Sequence, residues 1–304
     1  MRKLICLLLC LLLCGCAAPA QTGDYTFNDS TGCEVTVKQN PKTVAVLLSS
    51  LADVWVTAGG EVDITVGETV ERGFAEKTAV LVDDGAGKTV NLELLVASKP
   101  DLVLYSPDIA GQAECADALR ELGIPAAGFR VDTFAEYLKL LKICTDLTGK
   151  PERYDEYGLS IVERINDSLM SAQDRPEPPR ILFVRAGSSA KYTKAKTAEN
   201  NFVCVMLNEL GAHNIAEDAP ILLDGLSMEA ILLADPDLIF YTTMGSEDSA
   251  VSYMESLLVD PVWSSLKAVQ SGKVHHLPKD LFQYKPNARW GEAYEYLFDL
   301  LYGD

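Results

Sequence analysis

At 304 residues and 48% apolar side chains, the chain is long enough for one large or two ordinary domains, each with a sizeable core. Its formal net charge is −18, from 26 Lys and Arg against 44 Asp and Glu. Phosphate binding needs clustered cations, so nucleic acid is not an expected partner.

The N-terminus reads as a targeting segment. Arg2 and Lys3 supply a positive start, and residues 4–13 are an apolar run too short to span a bilayer. Leu13-Cys14-Gly15-Cys16 follows and resembles a bacterial lipoprotein processing site. Cys16 would then be the first mature residue and carry the lipid. The other reading is an ordinary cleaved signal. On the lipoprotein reading, 1–15 is the signal and 16–24 is a small, polar tether. Losing Arg2 and Lys3 leaves 24 basic residues against 44 acidic ones, a mature charge of −20.

Eight cysteines do not imply a disulfide framework. Cys6, Cys10 and Cys14 leave with the signal, and Cys16 is the lipid site. Cys33, Cys115, Cys144 and Cys204 are widely spaced and form no C-x-x-C, so zinc is not expected. Thiols scattered in this way are usually buried small hydrophobes. A Cys115–Cys144 bridge stays open.

Residues 25–37 alternate weakly around Asp29-Ser30-Thr31-Gly32, which predicts a β-hairpin. A buried strand at 44–48 leads into a helix capped by Ser49-Ser50 and stopped by Gly59-Gly60. Short strands follow at 63–67 and 124–129, with a helix at 112–122 between them and another at 134–147. Arg130 falls at the carboxyl end of the 124–129 strand. Alternating strands and helices predict a parallel α/β lobe over 25–148.

Pro151 opens a helix, a favoured place for proline. Tyr154, Tyr157, Ile161, Ile165, Leu169 and Ala172 recur at helical spacing, so 149–175 reads as one long linker helix. A helix of about 23 residues reaches roughly 35 Å, enough to cross between lobes. The proline-rich run at 174–179 ends it. A second lobe over 176–304 begins with a strand at 181–184 and a loop from Arg185 to Ser189. It continues with a helix near 200–210, a helix opened by Pro261, a strand at 273–277 and a closing helix at 290–301.

One stretch occurs in both lobes. Asn91-Leu92-Glu93 to Tyr105-Ser106 matches Ser227-Met228-Glu229 to Tyr241-Thr242 at a constant offset of 136 residues, without a gap. That offset is far beyond the period of stacked solenoid repeats, about 20 to 50 residues. In each copy a good N-cap precedes a carboxylate in the first helical turn. Pro100 and Pro236 then end the helix. Nearly continuous apolar runs at 102–105 and 238–241 fit strands buried on both faces of parallel sheets. The predicted fold class is therefore α/β: two similar parallel-sheet lobes joined by one long helix, with a ligand cleft between them.

Ligands in such sheets gather beyond the carboxyl ends of the strands. The candidates there are Tyr105, Arg130, Arg185 and Tyr241, with Lys191 and Tyr192 in the loop after Arg185. Tyr284, Arg289 and Trp290 lie in an aromatic and cationic stretch before the last helix. Aromatic walls with arginines suit a planar or aromatic anionic chelate. The competing reading is that these side chains cap helices or line cores. Gly85-Ala86-Gly87-Lys88-Thr89 looks like the end of a P-loop, but Val82 stands where the pattern needs glycine. His275 and His276 are adjacent in a strand and point to opposite faces, so no metal site is expected. A histidine as a haem axial ligand is a lesser option.

From about Pro41 to the end, the chain resembles the class III substrate-binding proteins of ABC importers. The likeness rests on 41–50, on the two repeat copies, and on Asp260-Pro261-Val262-Trp263 running through to Gly272-Lys273-Val274-His275-His276-Leu277-Pro278. It implies capture of an iron-siderophore-like metal chelate and delivery to a permease with its ATPase. It implies an extracytoplasmic position on a membrane, through the lipid on Cys16. It also implies that Glu93 and Glu229 dock onto permease arginines; from the residues alone, both carboxylates could simply favour their helix dipoles. No catalytic turnover, resident cofactor or protein-held metal is expected. Residues 282–296 depart from the better-known members. The alternatives are a haem, cobalamin or oxyanion receptor of the same fold, or an enzyme on a two-lobed scaffold. No nucleophile–base pair is visible to support an enzyme.

Overall fold

The computed structural model describes residues 23–83, 89–175 and 177–303. The predicted signal, Cys16, most of the tether and Gly85 to Lys88 lie outside the described residues. The predicted hairpin is present: β1 (Asp24–Asn28) and β2 (Glu34–Lys38) pair antiparallel, with Asp24 opposite Lys38. The N-terminal lobe contains β3 (Val44–Val46), β4 (Ile64–Thr65), β5 (Val80–Leu81), β6 (Leu102–Tyr105) and β7 (Ala126–Gly128). They form one parallel sheet in the order β5-β4-β3-β6-β7.

The C-terminal lobe contains β8 (Arg180–Ala186), β9 (Lys194–Ala195), β10 (His213–Asn214), β11 (Leu238–Thr243) and β12 (Val274–His276). The order β10-β8-β11-β12 is parallel, and β9 adds to β8 antiparallel. The strand order reverses between β3 and β6 in one lobe and between β8 and β11 in the other. Such switch points open a crevice beyond the carboxyl ends of the strands. The two-lobed parallel α/β fold predicted from the sequence is the fold observed.

The repeat is structural down to single bonds. Asp101 Oδ2 accepts from the Lys42 and Thr43 amides, at 2.7 and 3.0 Å, just ahead of β3. Its counterpart Asp237 accepts from the Arg180 amide, at 2.9 Å, at the start of β8. Each aspartate therefore ties the foot of one central strand to the foot of the next. The helices Leu92–Ala97 and Met228–Ala234 end on equivalent residues with left-handed backbone, Lys99 at φ 51° and Asp235 at φ 40°. A proline follows each, so the αR region is disfavoured there and the turn is forced into another well. The caps differ. The Asn91 side chain accepts from the Leu94 amide, whereas Ser227 makes no side-chain cap bond.

Strand alternation sorts the core into three layers. Leu102 and Leu104 of β6, and Leu238 and Phe240 of β11, face inward to one core shared by both lobes. That core also takes Trp55 and Tyr137 from the N-terminal lobe, Ile161 and Ile165 from the connection, and Phe183 and Trp290 from the C-terminal lobe. Val103 and Tyr105 face a separate outer core, and Ile239 and Tyr241 face its counterpart in the other lobe. The apolar contact between lobes is continuous, which makes the connection stiff.

The connection itself departs from one long helix. It breaks into the helices Glu152–Tyr157 and Val162–Gln173 around a 3₁₀ turn at Leu159–Ile161. Gly158 is the reason. A Cβ there would lie 2.7 Å from the Tyr154 carbonyl and 2.8 Å from the Leu138 side chain, so only glycine lets the chain bend this closely. The apolar period carries on across the bend, and so the sequence reads as unbroken. All four described cysteines are free, which removes the Cys115–Cys144 option; Cys144 lies in the shared core. No helix among the described residues is long and apolar enough to cross a membrane.

Candidate functional site

The loops leaving β3, β6 and β7 carry Leu48 to Ser50, Ser106 to Asp108 and Phe129 to Asp132 to one edge of the N-terminal sheet. With Lys285 and Asn287 they line a narrow cavity of about 50 Å³. Beside it, Arg185, Asn200, Asn201, Phe202, Phe282 and Gln283 line a larger one of about 180 Å³. Asp132 and Lys285 wall both cavities and bond to each other at 2.5 Å. The Lys285 ammonium also sits 4.3 Å over the Phe202 ring. One ion pair between the lobes thus divides a single groove in two. A roomier cavity, about 480 Å³, lies elsewhere, at the amino end of β4 beside Val56, Asp63 and Phe74.

The C-terminal lobe reaches across this groove through the segment from Gln283 to Trp290. Tyr284 lies under the Arg72 guanidinium, 3.8 Å away, with the Lys279 ammonium 5.1 Å from the same ring. Arg72 donates to the Ser49 hydroxyl at 2.8 Å, and Ser49 donates to Glu68. Ser49 and Ser50 are therefore not helix caps as predicted; Leu48 is the cap residue, Ser49 is buried and Ser50 lines the groove. The Asn287 amide donates to the Ser50 carbonyl at 2.9 Å and to Asp53 Oδ2 at 2.8 Å.

Burial pushes the Asp53 carboxyl above its usual range, against the lowering effect of the Asn287 bond and the nearby Arg72. A folded pKa above the unfolded one means that ionisation opposes folding. This penalty is present above the folded pKa and is relieved as pH falls through it. Asp53→Asn keeps an acceptor for Asn287 and removes the charge. It is expected to raise the melting temperature at pH 7, with the gain shrinking toward acid pH in scanning calorimetry. A lower melting temperature at pH 7 would show that the charge itself holds the segment.

The sequence-predicted ligand residues divide into groups. Arg130 and Arg185 line the groove. Arg130 is held by Asp108 at 2.7 Å, a bond that raises its pKa. Arg185 is exposed, and its side chain makes no hydrogen bond or ion pair among the described residues. Tyr284 stands in the crossing segment. Tyr192 is exposed in the loop after β8, with Lys191 over its ring at 5.3 Å. Arg289 pairs with Glu292 on the helix that follows it.

Three candidates are corrected. Tyr105 is 2% exposed, and its hydroxyl accepts from Arg120, which also reaches the buried Asp29. Tyr241 is 7% exposed and stacks on His276 at 4.7 Å. Tyr105 ends β6 and Tyr241 lies two residues short of the end of β11, but alternation aims both at the outer cores and not at the cleft. Trp290 is 0% exposed and lies in the shared core between Phe134 and Phe202. His275 and His276 do point to opposite faces, against Phe240 and Tyr241. Among the described residues, no group of three or more His, Cys, Asp or Glu could hold a metal ion.

Several residues in or beside the groove escaped the sequence reading. Asp132 and Arg72 lie in loops with no motif, and only the fold carries them to Lys285 and Tyr284. Lys194 and Lys196 were missed because β9 is a two-residue strand. The alternation Lys194-Ala195-Lys196, with alanine as the core residue, was the one available signal.

Two parallel α/β lobes, with an open crevice between the carboxyl ends of their strands, define a bilobed ligand-binding architecture. A family model described as periplasmic binding protein matches residues 44–281. The chain belongs to that family and is a substrate-binding protein of its type. It is similar to the ABC transporter substrate-binding lipoprotein YvrC of Bacillus subtilis (strain 168), 26% identical over 313 residues, with 98% of this chain and 95% of the relative covered. It is also similar to the Fe(3+)-citrate-binding protein YfmC of the same organism, 22% identical, with 91% and 88% covered. Among solved structures, Staphylococcus aureus SirA complexed with staphyloferrin B shares the fold, with a TM-score of 0.66, 20% identity, and 91% and 97% of the two chains covered.

Proposed function

We propose that this chain is the extracytoplasmic substrate-binding lipoprotein of an ABC importer, carrying an iron-siderophore-like metal chelate to its permease. The observation that carries the reading is the groove. In a chain of net charge −18, its walls hold Arg130, Arg185 and Lys285, with Arg72 stacked on the crossing Tyr284, and Arg185 is exposed with no counter-ion among the described residues. A cation left unpaired in an acidic protein is a place for an anionic ligand. The relatives support the same class, since one is named for Fe(3+)-citrate and a structural neighbour is complexed with a siderophore. The present cavities are small beside ordinary ligand pockets of about 300 to 1,000 Å³. Cargo entry therefore means parting the Asp132–Lys285 pair. Glu93 and Glu229 supply docking to the permease, and Cys16 supplies the lipid anchor.

The test is native mass spectrometry of the mature protein with ferric citrate, a ferric trihydroxamate, haem and cobalamin, followed by titration. A retained ferric chelate is expected. Arg185→Ala is expected to weaken it by about 10- to 100-fold, the effect of one charge-assisted hydrogen bond. Retention of haem or cobalamin alone, or an unchanged affinity in Arg185→Ala, would overturn the assignment.

A further inference from the structure

Three cations lie together on the inner face of the C-terminal sheet. Arg185 of β8 is directly opposite Lys194 of β9 in the antiparallel register. Ile181 and Phe183 precede Arg185 at alternate positions and face the shared core, while Leu182, Val184 and Ala186 face the outer one. Arg185 is thus on the cleft side, and Lys194 shares its face by pairing. Ala195 faces the outer core, so Lys196 is again on the cleft side.

None of the three cationic side chains makes an ion pair or hydrogen bond among the described residues. Elsewhere the chain pairs its cations readily, as in Arg130 with Asp108, Arg164 with Glu295 and Arg289 with Glu292. Like charges placed opposite one another across strands destabilise a sheet, and their Cβ atoms are only about 4.5 to 5.5 Å apart. The crowding is visible in Lys196: burial depresses its ammonium pKa, and Arg185 and Lys194 push it the same way. Asp132, the acid that lines the same cavity as Arg185, is taken by Lys285. A cluster that costs stability in the empty protein is relieved by a ligand that brings several negative charges at once.

We propose that Arg185, Lys194 and Lys196 form a specificity subsite for the polycarboxylate pole of the cargo. The inference rests on the metal-chelate reading above and narrows it. The chelate presents two or more carboxylates to this ladder, so a neutral or cationic hydroxamate complex is disfavoured. Arg185 offers a planar fork to one carboxylate, and the two ammonium groups act as point charges for a second.

The experiment compares wild type, Lys194→Gln with Lys196→Gln, and Lys194→Arg with Lys196→Arg in the mature protein. Each is titrated calorimetrically with ferric citrate and with a cationic ferric trihydroxamate, and its melting temperature is recorded. Wild type is expected to prefer ferric citrate by at least tenfold. The glutamine pair is expected to lose at least tenfold for ferric citrate and little for the trihydroxamate, with an unchanged or higher melting temperature. The arginine pair should restore the preference. Full ferric citrate affinity in the glutamine pair overturns the subsite but leaves the chelate reading standing. So does a wild type that prefers the trihydroxamate. A wild type that binds neither defeats both.

Discussion

Reversing the repeated glutamates together, Glu93→Arg with Glu229→Arg, is expected to abolish uptake in a reconstituted transporter while ligand affinity and melting temperature stay near wild type. Each carboxylate is exposed in the first turn of its helix, and neither makes a hydrogen bond or ion pair among the described residues. Both helices run back from the carboxyl edge of their sheet, so the glutamates stand on the rim that carries the groove mouth. The Asn91 amide donates to the carbonyl of Val82, just beyond β5, which fixes the first of them there. With no internal partner to lose, reversal costs the fold little beyond an unfavourable charge at a helix N-terminus, about 0.3 to 1 kcal/mol. Against permease arginines it places like charges face to face, which costs more than a missing pair. Neutral Gln at both positions should therefore impair uptake less than Arg. Normal uptake by the double reversal would remove the docking role. Lost ligand binding would put the carboxylates in the cleft instead.

The second large effect is expected at Trp290. Trp290→Ala should lower stability by about 3 to 5 kcal/mol, the range for deleting a large buried aromatic. The side chain is fully buried and meets Phe134 of the N-terminal lobe edge-on at 6.4 Å and Phe202 of the C-terminal lobe at 6.0 Å. Its loss opens a cavity in the one core that both lobes share, so coupling between the lobes should weaken as well. Urea unfolding would show a lower midpoint, and a second transition would mark lobes that no longer unfold together. A ligand-stacking tryptophan would behave in the opposite way, with affinity lost and the midpoint kept. That second outcome would return Trp290 to the cleft. Its indole N–H is buried without a hydrogen-bond partner, so part of the cost of removing the ring is offset by losing that orphaned donor.

Local chemistry determined much of this protein. Apolar runs bounded by proline set β6 and β11, because proline's ring stops the helix before it and a doubly buried strand needs apolar side chains on both faces. The constant offset of 136 residues identified two equivalent lobes, and the equivalence extends to the aspartates that clamp the strand feet. The exposed glutamates were legible for the same reason, since a first-turn carboxylate is a local feature.

Only the tertiary structure decided which way the strand-end side chains point and what they meet. Tyr105 and Tyr241 occupy the predicted positions, yet one residue of register separates the cleft face from the outer core. Trp290 reads as part of a binding stretch, but the closing helix turns it into the shared core. The bend at Gly158 was hidden because the apolar spacing survives it. The groove itself could not be read, because Asp132, Arg185 and Lys285 come from three distant segments. Charges so far apart in sequence become neighbours only when two sheets are stacked around a common core.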